Sequence, residues 1–69
     1  MKISARNRLK GKIVELKKGA TTAHVKIDVG GGQIVTSAIT NEAVDELGLS
    51  VGKEAYAVIK ASDVMIGVD

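Results

Sequence analysis

Ser4, Ala5, Arg6 and Asn7 stand together near the start of a 69-residue chain, and their types suit one kind of chemistry. Ser4 offers a hydroxyl donor, and Ala5 puts almost nothing in front of its own backbone N–H. Arg6 carries a planar fork of donors with a permanent charge, and Asn7 adds a carboxamide. Leu9 and Gly11-Lys12-Ile13 follow, so the donors lead into an apolar strand. A second group of one cation, one small residue and one hydroxyl recurs at Lys60-Ala61-Ser62. Donors without an acceptor suit a small oxyanion better than a metal or a catalytic centre. Brought together, the two groups make a donor-only pocket that favours a fully deprotonated oxyanion. Hydrogen phosphate would leave its own proton unpaired there, and sulfate would have to be rejected by size. The same residues also read as strand-edge charges and turn residues that guard against aggregation. Residue types alone leave both readings open.

Other chemistries find less support. There is no Cys nucleophile, and the single histidine, His24, has no Ser or carboxylate partner in a motif; a surface position on a strand explains it. Asp28, Glu42, Asp45 and Glu54 are scattered, with no spacing that suggests a working pair. Gly30-Gly31-Gly32 lacks the Lys-Ser/Thr tail of a phosphate loop and opens no helix, so it reads as a hairpin turn. Lys10, Lys12, Lys17 and Lys18 are able to meet nucleic-acid phosphates. Single-strand binding, however, rests on aromatic stacking, and the chain has only Tyr56. A solvated, soluble surface accounts for those lysines.

The elements that must hold the two donor groups are mostly strands. Leu9 to Leu16 reads as a strand with a bulge or a close backbone approach at Gly11. Lys17 to Ala20 is a turn. Thr21 to Val29 alternates well, with Ala23, Val25, Ile27 and Val29 on one face. Gln33 to Ile39 is a third strand. Thr40-Asn41 caps a short helix with Ala43, Val44 and Leu47 as its apolar stripe and Gly48 as its stop. Glu54 to Lys60 is a fourth strand, Ala61-Ser62-Asp63 a corner, and Val64 to Val68 a final short strand. Five strands with a helix between the third and fourth is the order of a small OB-like Greek-key barrel, so the expected class is all-β.

Size and composition point to self-assembly. Residues 1–69 read as a single domain near the lower limit for an independent core. Such domains need a staple. With no Cys there is no disulfide, and one His without a Cys/His cluster gives no structural zinc. A partner subunit remains, and a 45% hydrophobic content with 1% aromatic leaves apolar surface for it to cover. The formal charge of +2 suits an anionic ligand and is too weak to imply nucleic acid by itself. No apolar h-region follows Met1-Lys2-Ile3 and no apolar stretch is long enough for a bilayer, so the expected location is cytoplasmic.

The chain resembles the molbindin family of small molybdate-binding proteins, a module (the Mop domain) also found at the end of molybdate-dependent regulators and transporter ATPases. The residues that carry the resemblance are Ser4-Ala5-Arg6-Asn7 with Leu9, Gly11 and Ile13, then Ala57 to Ser62 with Val64-Met65-Ile66. Ile39-Thr40 and Leu47-Gly48-Leu49 match in outline, so the resemblance spans essentially the whole chain. It implies an OB-like barrel assembled as a hexamer, a trimer of dimers, that binds molybdate or tungstate without catalysis. By that resemblance the oxyanion is held at subunit interfaces by Ser4, the Ala5 N–H, Arg6, Lys60, the Ala61 N–H and Ser62. A second kind of site, near a threefold axis, falls on Gly19, Ala20 and Thr22. One departure is Ala61, where many relatives carry Ser; a hydroxyl is lost and the N–H kept.

Overall fold

A computed structural model describes all of residues 1–69. It contains β1 (Asn7–Lys18), β2 (Thr22–Asp28), β3 (Ile34–Thr40), α1 (Asn41–Leu47) and β4 (Glu54–Ile59), followed by a 3₁₀ turn at Ala61–Asp63. The strands form one antiparallel sheet in the order β3-β2-β1-β4. The architecture is that of an OB-like fold: mostly strand, with one short helix between the third and fourth strands.

The long first strand curls the sheet. Its first half, Asn7 to Lys12, pairs with β4, and its second half, Lys12 to Lys18, pairs with β2. Gly11 sits near the crossing point. A Cβ there would lie 2.3 Å from the Asp28 carbonyl oxygen, so only glycine permits the approach. The bulge lies further on, between Ile13 and Glu15. It adds twist and lets both halves present apolar side chains to one core. β3 and β4 do not pair, yet residues 35–38 and 56–59 line two sides of one groove. The result is a half-barrel with an open seam.

The core is small. Ile13, Ala23, Val25, Ile27, Val44 and Ala57 are buried, with Leu16, Val29, Val35, Ile39, Leu49 and Ala55 packed around them. The alternation of β2 is the pattern expected of it: Ala23, Val25 and Ile27 face in, while Thr22 and His24 face solvent. The helix begins where Thr40 Oγ1 accepts from the Ala43 N–H at 3.0 Å. It ends at Gly48, in the left-handed region at φ 61°, whose N–H donates to the Asp45 carbonyl at 3.1 Å. Lys53 Nζ donates to the Leu47 and Gly48 carbonyls at 3.2 and 2.9 Å, holding the helix end against the start of β4.

Two expectations need correcting. Of the helical stripe, only Val44 is buried; Leu47 is 62% exposed, because the single helix meets the sheet at the open mouth of the half-barrel. The fifth strand expected over Val64 to Val68 is not formed. A strand needs a ladder partner. After the 3₁₀ turn this segment leaves its own sheet and lies exposed, Met65, Ile66 and Val68 each at 88% or more.

Candidate functional site

The register of β1 and β4 brings the two donor groups to one place. The ladder ends at the pair Asn7 and Ile59. Continued, that register sets Arg6 opposite Lys60, Ala5 opposite Ala61, and Ser4 opposite Ser62. The two triplets therefore mirror each other across the end of the ladder. The strands part there, and Lys60 begins the 3₁₀ turn. Pairing has stopped, so the backbone N–H groups of Ala5, Ala61 and Ser62 have no backbone acceptor. All six residues line one open concavity of about 670 Å³, together with Ile3, Val58 and Asp63.

Local bonds orient the charged groups. Arg6 Nε donates to the Ser4 carbonyl at 3.0 Å, which folds the segment back on itself and leaves the other guanidinium donors free. Asn7 plays another part than ligand donor. Its Nδ2 donates to the Ile59 carbonyl at 3.3 Å and ties the two segments where the ladder ends. Ion pairs join Lys10 to Glu54, Lys18 to Asp45 and Lys26 to Glu15, all on exposed surface. Neither Arg6 nor Lys60 takes part in one. Both cations are therefore available to an anion, and water screens each where it stands.

The cavity is not built of donors alone. Asp63, whose N–H donates to the Lys60 carbonyl at 2.9 Å, adds a carboxylate to its wall. Sequence reasoning passed over it, although it directly follows Ser62 in the same turn. Ile3 and Val58 were also missed as lining residues. The cavity is open and far wider than one four-oxygen anion, so a single chain does not enclose such an ion.

Gly19, Ala20 and Thr22 lie elsewhere, in the turn between β1 and β2, and do not line this concavity. Gly19 there is already engaged: its N–H donates to the Thr22 carbonyl at 2.7 Å, and its carbonyl accepts from Asn41 Nδ2 at 3.0 Å. In the single chain it has no free N–H to offer. The Gly30-Gly31-Gly32 segment is a turn, with the Gly30 N–H donating to Asp28 Oδ1 at 2.9 Å. No cluster of three His, Asp or Glu side chains is arranged to hold a metal ion.

A family model described as the TOBE domain matches residues 3–66. The chain belongs to the TOBE domain family. Among relatives, a probable molybdenum-pterin-binding protein of Haemophilus influenzae is 58% identical over 69 residues, all of both chains. Among solved structures, MopII from Clostridium pasteurianum, in an apo form, superposes with a TM-score of 0.91 at 52% identity, over 97% of this chain and 100% of that one. ModG, described as a cytoplasmic molybdate-binding protein and solved with molybdate bound, gives 0.94 at 48% identity over all of this chain and 49% of its own. This TOBE chain thus spans about half the length of ModG and the full length of the other two. The molbindin resemblance read from Ser4-Ala5-Arg6-Asn7 and Lys60-Ala61-Ser62 agrees with these names.

Proposed function

We propose that this chain binds molybdate or tungstate, without catalysis, at a site made by Ser4, the Ala5 N–H, Arg6, Lys60, the Ala61 N–H and Ser62. The observation that carries the reading is the register: two donor triplets face each other where the β1–β4 ladder ends, with both cations unpaired. Charge-assisted hydrogen bonds from Arg6 and Lys60 hold the dianion. The N–H groups and the hydroxyls add further donors to the shell. The relatives' molybdenum-binding names support the choice of ion. The role is storage or homeostasis of the oxyanion inside the cell. The description of ModG as cytoplasmic supports that location, and no helix here is long and apolar enough to cross a membrane.

The working unit is a homo-oligomer, a hexamer arranged as a trimer of dimers, with residues 1–69 acting as one module in each subunit. An open concavity supports this, since a second chain would supply the missing wall. So do the exposed apolar tail and the unpaired seam, both in the same chain. Gly19, Ala20 and Thr22 form a second anion group near the threefold axis of that assembly. No observation favours the nucleic-acid alternative; Tyr56 would offer the only aromatic platform.

Isothermal titration with molybdate, tungstate, sulfate and phosphate tests the reading. Molybdate and tungstate should give saturable heats and sulfate and phosphate weak ones. Absence of molybdate binding, or equal binding of sulfate, sinks it.

A further inference from the structure

Asp63 is the one acceptor-only side chain in the wall of the oxyanion cavity. The other polar side chains there, Ser4, Arg6, Lys60 and Ser62, all have protons to donate. Its carboxylate makes no hydrogen bond and no ion pair, although Arg6 and Lys60 share the cavity with it. Its backbone is fixed by the bond from its N–H to the Lys60 carbonyl at 2.9 Å, so the carboxylate is carried beside the lysine rather than on a free tail.

We propose that Asp63 is a specificity-determining residue of the oxyanion site, restraining the binding of fully deprotonated dianions and offering a protonated one the only carboxylate acceptor in the cavity. The inference rests on the oxyanion-binding reading above. In water-like surroundings a unit charge would oppose a dianion held about 7 Å away by about five- to tenfold, and Asp63 lines the same cavity as the donors. A hydrogen phosphate ion feels the same repulsion, but its P–OH group gains Asp63 as an acceptor. The carboxylate therefore keeps the affinity for molybdate below what the donors alone would give. It also narrows the margin over phosphate.

The test compares wild type, Asp63→Asn, Asp63→Ala and Glu46→Gln by titration with molybdate and, in competition, with phosphate. A single near-neutral pH is used, at which molybdate carries no proton and phosphate carries at least one. Glu46→Gln makes the same change in net charge on the exposed face of α1. Molybdate should bind both Asp63 variants about five- to tenfold more tightly, with phosphate gaining less, and Glu46→Gln should match wild type. Unchanged or weaker molybdate binding in both Asp63 variants overturns the proposal. So does an equal gain for the two anions, or an equal gain in Glu46→Gln. A wild-type protein that binds no molybdate instead removes the oxyanion reading on which the proposal stands.

Discussion

Arg6 and Lys60 differ in what they bring to an anion, and substitutions should separate them. Arg6 is held by its own Nε bond to the Ser4 carbonyl, so its remaining donors are already oriented. Lys60 is a point charge on a flexible stem. Hydrogen bonds to charged groups contribute about 1.5–3 kcal/mol, so Arg6→Ala and Lys60→Ala should each weaken molybdate binding by roughly ten- to a hundredfold. Ser62→Ala should weaken it by about tenfold or less. Arg6→Lys keeps the charge and loses the fork, and should recover only part of the Arg6→Ala loss. Dissociation constants from calorimetry check the series, and survival of full binding in both Arg6→Ala and Lys60→Ala would place the anion elsewhere. The donors of this site were readable from residue types, because hydroxyl, guanidinium and bare N–H have few common uses. Their meeting was not. It depends on the β1–β4 register, and a one-residue slip would turn every side chain to the other face. Asp63 escaped notice because its carboxylate matters only through its neighbours in the 3₁₀ turn.

The elements that carry those residues depend on a few local features of unequal weight. Gly11 should be the least replaceable. Gly11→Ala drives a Cβ into the Asp28 carbonyl, a backbone atom with no easy retreat. It should destabilise the fold by about 1–3 kcal/mol or more and loosen the β1–β2 crossing. Thr40→Ala removes the helix cap and should cost about 1 kcal/mol. Leu47→Ala should fall below either in the isolated chain, since Leu47 is largely exposed there. Chemical denaturation gives the order, and a Gly11→Ala variant as stable as wild type would contradict the crossing geometry. β2 was the clearest strand in the sequence because one face meets the core and the other meets water, which writes a period of two into its residues. The helix was readable from Thr40 and Gly48 for an equally local reason. Val64 to Val68 shows the limit of such reading. Its β-branched residues suit a strand, but nothing in the pattern says which edge it must join.

The exposed surface argues for assembly independently of any ligand. A compact monomer of 7.2 kDa exposes about 4,100 Å², and this chain exposes 5278 Å². Only six residues are buried, while Val64, Met65, Ile66 and Val68 lie open to water on an extended tail. The seam between β3 and β4 is lined by Val35, Ala38, Ala57 and Ile59 and has no strand in it. An unfilled apolar seam and an unpaired apolar segment in the same chain are what a second copy would cover at once. Charging the tail should therefore act on the assembly before it acts on the sheet. Met65→Lys with Ile66→Lys should shift the protein to a smaller species, read as mass by light scattering after size exclusion, while the far-ultraviolet β signal persists. If a second copy supplies the missing wall of the cavity, the double variant should also bind molybdate more weakly than wild type. Ligand and assembly are then linked: molybdate at a hundred times its dissociation constant should stabilise wild type by about 2.7 kcal/mol, and the tail variant by much less. A tail variant that keeps both the full mass and the full molybdate stabilisation would show that residues 64–69 lie outside the interface and that the chain completes its site by another edge.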